Sequence, residues 1–232
     1  MSKLPPLQRR AITKVEWRRQ TFEPFRVGTR LMVVPATTSG DVSGPAAGAG
    51  VIVVRIESGM AFGTGHHPST RACLEVLERS VAGGEAVLDI GSGTGILTIA
   101  AVRLGARSAV CLDVDPDAVR STTRNLRLSG LTQVARAFQG TVPHAEAAPG
   151  TFDLVLANIS ARVLIEQAAD MVACLAPDGR LVGSGYMVDR REDVRRAFEA
   201  AGGRIRETVV IGDWVTVVAG RSRDRRRGRA GR

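Results

Sequence analysis

Three glycines at alternate positions, Gly91, Gly93 and Gly95, follow the apolar run Val87-Leu88-Asp89-Ile90 and lead into a second apolar stretch, Ile96-Leu97-Thr98-Ile99-Ala100-Ala101. Such a sequence describes a buried parallel strand entering a tight turn whose backbone passes close to a ligand, because glycine removes the Cβ atoms that would block the approach. About twenty residues on, the run Ser108-Ala109-Val110-Cys111-Leu112 ends in Asp113, an acid placed to hold ribose hydroxyls. Together these residues predict a nucleoside-containing cofactor. A dinucleotide fingerprint would require a third glycine where this chain has Ile96, and Asp89 would set a negative charge beside a pyrophosphate. A cationic cofactor without phosphate suits both acids, and S-adenosylmethionine is such a molecule. The bland alternative is a glycine-rich turn with no ligand.

A second group is Phe62-Gly63-Thr64-Gly65-His66-His67-Pro68-Ser69-Thr70. It opens a helix, with Ser69 or Thr70 available as a cap. Folded over the glycine turn it forms a lid and sets the Thr70 hydroxyl to hydrogen-bond the carboxylate of the cofactor. Adjacent histidines rarely point the same way and His144 is the only other one, so the expectation is no metal. A third group, Ala157-Asn158-Ile159, follows a strand; the amide either contacts cofactor and incoming amine or simply caps the next helix.

The elements that must position these residues alternate. Strands are predicted at 86–90, 108–113, 134–139, 152–157, 180–185, 204–211 and 214–219, with helices at 69–80, 95–104, 116–128, 161–175 and 190–201 between them. This is an α/β pattern, a doubly wound, mostly parallel seven-stranded sheet finishing in an antiparallel hairpin through Gly212-Asp213. In such sheets ligands bind beyond the carboxyl ends of the strands, and Asp89, Asp113 and Asn158 all fall there. Upstream, a short helix around Trp17 and a β-hairpin with strands at 27–34 and 51–56 are expected, separated by a small-residue loop at 37–48. Residues 1–57 thus read as a linker-like segment, 58–220 as the catalytic domain, and 221–232 as a disordered basic tail.

The formal charge of +9 is unevenly placed. Residues 1–30 carry eight Lys/Arg against two acids, and residues 221–232 carry seven Arg against one Asp, so each end is +6 and the remainder is −3. The basic termini either contact RNA or another polyanion or are merely solvated. Cys73, Cys111 and Cys174 are far apart within apolar patterns, which predicts reduced, buried thiols in a cytoplasmic protein. No apolar run is long enough for a membrane helix, and no signal peptide is evident in the first residues.

At these residues the chain resembles the PrmA-type methyltransferases. The resemblance rests on Phe62-Gly63-Thr64-Gly65-x-His67-Pro68-x-Thr70, Asp89-x-Gly91-x-Gly93-x-Gly95-Ile96-Leu97, Asp113-Val114-Asp115-Pro116 and Ala157-Asn158-Ile159, and spans roughly residues 15–220. It implies a class I, Rossmann-like methyltransferase that uses S-adenosylmethionine to methylate protein amino groups, with a large-subunit ribosomal protein as acceptor. The implied cofactor contacts are Phe62, Gly63, Thr70 and Asp89, with Gly91, Gly93, Asp113 and Asn158. Asn158 is also the expected catalytic residue, orienting the amine. The chain departs from the family pattern at His66 and Ser160, and only about fourteen residues precede the linker-like region that holds Trp17, where the family carries a recognition domain. Two rival readings follow: methyl transfer to RNA or a small molecule, and a non-catalytic binding module on the same fold.

Overall fold

The computed structural model describes residues 22–38, 50–57 and 65–222. The expected helix around Trp17, most of the loop at 37–48, Phe62, Gly63 and the tail beyond Ser222 lie outside them.

A central strand, β4 (Ala86–Ile90), is buried at every position, as a continuous apolar run flanked by helices on both faces requires. It pairs in parallel with β5 (Ser108–Asp113) on one side and β7 (Phe152–Asn158) on the other. β6 (Ala135–Gln139) extends the sheet beyond β5. β8 (Leu175–Met187) lies beside β7, followed by β10 (Trp214–Arg221) and β9 (Gly203–Ile211), the last three joined antiparallel. The order β6-β5-β4-β7-β8-β10-β9 is the seven-stranded, mostly parallel sheet with a terminal hairpin. Connections leave β4 in one direction and β7 in the other, so the switch point where such sheets bind ligands falls between these two strands.

Helices α1 (Pro68–Ser80), α2 (Ile96–Leu104) and α3 (Pro116–Leu128) follow the predicted bounds to within a residue. α1 and α2 pack into one core with Leu88's neighbour Val87 and with Leu156, while α4 (Ala161–Glu166), α5 (Ala168–Cys174) and α6 (Arg191–Ala200) cover the opposite face.

Four expectations change. The predicted strand at 27–34 is two strands, β1 (Phe25–Val27) and β2 (Leu31–Pro35), folded into a hairpin at Gly28–Arg30. The Glu78 carboxylate of α1 holds that turn by accepting the N–H groups of Thr29 and Arg30, both at 3.0 Å. β3 (Ile52–Ile56) pairs with β2 in parallel, so the two predicted strands do not form the hairpin themselves. The predicted helix at 161–175 breaks at Gln167, whose φ of −106° is not helical. The strand predicted at 180–185 begins earlier, at Leu175, and runs through a bulge: Phe152 opposes Leu175, yet Leu154 opposes Arg180.

Candidate active site

At the carboxyl ends of β4, β5 and β7 lies a cleft of about 630 Å³. That is within the range of small-molecule and cofactor pockets. Its floor is the glycine turn. Gly91 has φ +73°, a region costly for any residue with a Cβ, and a Cβ there would also overlap the Ile159 side chain. The Gly91 N–H donates to the Leu112 carbonyl at 2.8 Å, which folds the turn back across the end of β5.

Two buried polar side chains of α3 secure this turn from behind. The Thr122 hydroxyl donates to the Gly93 carbonyl at 2.9 Å, and the Asn125 amide donates to the Thr94 carbonyl at 2.9 Å. Asn125 also accepts the Glu57 N–H at 2.8 Å, linking the end of the small sheet to the turn. Sequence reasoning missed both; the available signal was two polar residues at i and i+3 on the inward face of an amphipathic helix.

Asp113 stands on the cleft wall with its carboxylate fixed at both oxygens. Oδ2 accepts the Gly93 N–H at 2.9 Å and Oδ1 accepts the Asp115 N–H at 3.0 Å. Each oxygen keeps a further lone pair for a ligand hydroxyl. Beside it Val114 is 66% exposed, an apolar surface on the same wall suited to a flat ring.

Asp89 is placed differently. It is 1% exposed and absent from the wall, and its Oδ2 accepts the Thr98 hydroxyl at 2.7 Å. Burial pushes its pKa up to about 6; the Thr98 hydrogen bond opposes the rise and the charge of Asp113 adds to it. Asp89 thus sits behind the glycine turn rather than on the cleft wall.

Asn158 ends β7 and lines the cleft. Its Nδ2 donates to the Thr70 Oγ1 at 3.1 Å, while its Oδ1 is buried with no partner. Thr70 is fully buried and off the wall, where Ser69 stands instead. The Thr70 hydroxyl holds the Asn158 amide in this structure. Gly185 of β8 completes this corner, with backbone atoms of Ile159 packed where its Cβ would be.

The two adjacent histidines diverge. His66 stacks on Phe25 with ring centroids 4.1 Å apart. His67 caps α1 by accepting the Ser69 N–H, and its ring meets Trp214 edge-on at 4.2 Å. Burial lowers the His67 pKa, favouring the neutral ring. Trp214, on the cleft wall, was read in the sequence only as the start of a strand. Among the described residues no three His, Cys, Asp or Glu side chains converge as a metal site, and no helix is long and apolar enough to cross a membrane. The three cysteines are free and buried, and burial pushes the Cys73 thiol up to about 12.

Comparison with known proteins agrees with this geometry. The chain is 45% identical over 202 residues to a ribosomal protein L11 methyltransferase of Pelobacter propionicus, covering 85% of this chain and 63% of that protein. A protein of the same name from Geobacter metallireducens is 43% identical over 196 residues, covering 84% and 62%. The chain therefore spans less than two thirds of the length of these relatives. The crystal structure of a ribosomal protein L11 methylase from Lactobacillus delbrueckii subsp. bulgaricus superposes with a TM-score of 0.76 at 24% identity, covering 87% of this chain and all of that one. At that identity it shows the shared fold. The family model for ribosomal protein L11 methyltransferase (PrmA) matches residues 3–222, and the chain belongs to that family.

Proposed function

We propose that this chain is an S-adenosylmethionine-dependent methyltransferase acting on protein amino groups, lysine side chains or an N-terminus, with a large-subunit ribosomal protein as acceptor. The observation that carries the reading is the Asn158 Oδ1, a buried acceptor without a donor, beside a glycine-floored cleft whose opposite wall bears Asp113. A buried unpaired acceptor costs about 1–3 kcal/mol, and a bound N–H group relieves that cost.

The residues present fit the cofactor. Gly91 and Gly93 admit its amino-acid portion close to the backbone, Asp113 accepts from ribose hydroxyls, and Val114 covers one face of the base. Asp89 supplies a buried negative charge behind the turn, favourable to a cation. The bound cofactor supplies an activated methyl group on a sulfonium, already a good leaving group. What the chain must add is placement: Asn158, locked by Thr70, accepts a hydrogen bond from an N–H of the incoming amine and fixes its lone pair on the line of transfer. Among the described residues the one imidazole on the cleft, His67, is engaged as the cap of α1, so the amine loses its proton to water. A linker-like segment at 1–57, a catalytic domain at 58–220 and a basic tail beyond β10 accompany this reading, in a cytoplasmic enzyme.

Incubation with methyl-labelled cofactor and, separately, ribosomal subunits, free ribosomal proteins and RNA tests it. Label is expected in a large-subunit protein. Label confined to RNA overturns the choice of acceptor and favours the reading suggested by the basic termini.

A further inference from the structure

The sheet order sets the polar groups of the cleft in a line. Asn158 ends β7, the glycine turn leaves β4, Asp113 ends β5, and β6 lies beyond it as the edge strand. The register partner of Asp113 on β6 is Gln139, and the Gly140 N–H donates to the Asp113 carbonyl at 2.9 Å. Thr141 therefore lies about 7 Å past the level of Asp113, one strand to the side. With the amino-acid portion of the cofactor over the glycine turn and its ribose at Asp113, the β6 side of the cleft is left for the base.

Two polar side chains meet on that side. The Thr141 hydroxyl donates to the Gln167 Oε1 at 2.7 Å, joining residues twenty-six apart, and both line the cleft. Gln167 sits at the break between α4 and α5, one turn after Val163, which lines the same wall. Its Nε2 has no partner among the described residues, and its Oε1 keeps a second lone pair. The carboxylate of Asp115, also on the wall, is engaged in capping α3, where it accepts the Asp117 N–H at 2.8 Å. Val114 and Val163 add apolar wall, so this end of the cleft offers surface for a flat ring and one amide for its polar edge.

We propose, resting on the assignment of this cleft to S-adenosylmethionine, that Gln167, oriented by Thr141, reads the amino edge of the cofactor's adenine: Oε1 accepts from the exocyclic amine and Nε2 donates to a ring nitrogen beside it. A side-chain amide presents an acceptor and a donor together, and adenine shows the complementary donor and acceptor. Hypoxanthine carries a carbonyl oxygen in place of the amine, which sets two acceptors against each other and leaves the amide poorly paired. Gln167 is thereby a specificity-determining residue that acts on the choice of nucleoside. Thr141 is a positioning residue, because an amide free to turn over would present its nitrogen to the hypoxanthine oxygen.

Calorimetric titration of the full chain with S-adenosylhomocysteine and S-inosylhomocysteine, which differ only at that edge, tests this without a methyl acceptor or turnover. The unsubstituted chain should favour the adenosyl compound about 5- to 150-fold. In Gln167→Leu the preference should vanish, and Thr141→Val should give an intermediate value. The ratio of the two affinities is the readout, since a general distortion of the cleft weakens both ligands alike. A full preference retained in Gln167→Leu overturns the role of Gln167, and so does tight binding of both compounds to the unsubstituted chain without preference; either result leaves the cofactor assignment standing. A full preference retained in Thr141→Val overturns the positioning role. An unsubstituted chain that binds neither compound overturns the cofactor assignment itself.

Discussion

Substituting Thr70 by valine removes one oxygen from a fully buried position and keeps the shape. The lost oxygen is the only described acceptor of the Asn158 Nδ2, at 3.1 Å, and the Asn158 Oδ1 already lacks a partner. The variant therefore leaves a buried amide with no hydrogen bond on either side. Stranding one donor costs about 1–3 kcal/mol, and an amide free to rotate away from the line of transfer loses a comparable part of its orienting effect. If that whole amount is withdrawn from the transition state, kcat/KM falls about 5- to 150-fold. The assay is a double-mutant cycle on methyl transfer, with T70V, N158A and the combination. Because Thr70 acts through Asn158, the double variant should match N158A within about 0.5 kcal/mol. Multiplicative losses in the double variant, or a fall in cofactor affinity caused by T70V when Asn158 is already absent, would refute this and return Thr70 to direct contact with the ligand.

The two glycines Gly185 and Gly84 have similar positive φ, +93° and +86°, but only Gly185 has backbone within reach of an added Cβ, including the Ile159 nitrogen at 2.8 Å. Gly84→Ala should cost about 1 kcal/mol of stability from φ strain alone, and Gly185→Ala about 3 kcal/mol or more, in denaturant titrations; equal costs contradict the packing argument. The Asp89 carboxyl has its pKa raised from 3.8 to about 6, chiefly by burial, so the folded chain holds a proton that the unfolded chain has released across that window. Stability contributed by this group falls as pH rises from about 4 to about 6, and Asp89→Asn should gain relative to the unsubstituted chain over the same window, by at most about 3 kcal/mol; a difference constant with pH rejects it. Asp113→Ala removes the acceptor for Gly93 and Asp115 as well as for a ribose, so S-adenosylmethionine affinity should drop at least about tenfold by calorimetry, and unchanged affinity rules out its assigned role.

What the sequence made legible was set by local rules. Alternate glycines, the apolar run before them and Pro116 at the first turn of α3 place the cleft floor and its helices because each encodes a backbone conformation directly. What local rules did not reveal was side-chain direction and distant partners. Ile90 lines the cleft, so its neighbour Asp89 must point to the other face of β4, where Thr98 of α2 meets it; period-two alternation contained that information, but the motif reading ignored it. Ser69 and Thr70 are adjacent on a helix and cannot both face the cleft, and the choice depends on Asn158, eighty-eight residues away. The division of the predicted strand at 27–34 likewise rests on Glu78, forty-nine residues from Thr29. Nothing local to either segment announces such a partner.

The separation of the two acids explains why a turn common to many nucleoside enzymes favours a cation in this chain. Asp113 is held by two backbone N–H groups and keeps its remaining lone pairs open to the cleft. Asp89 is held by Thr98, through its hydroxyl and its backbone, with almost no solvent, so burial still dominates its pKa, and the nearby Asp113 charge raises it further. A pyrophosphate on this turn would add two more negative charges to that pair in a region where screening is weak. A sulfonium with its neighbouring ammonium instead supplies the missing compensation. A bound cation would offset part of the cost of burying Asp89, and a bound pyrophosphate would add to it, so the buried acid favours the cation.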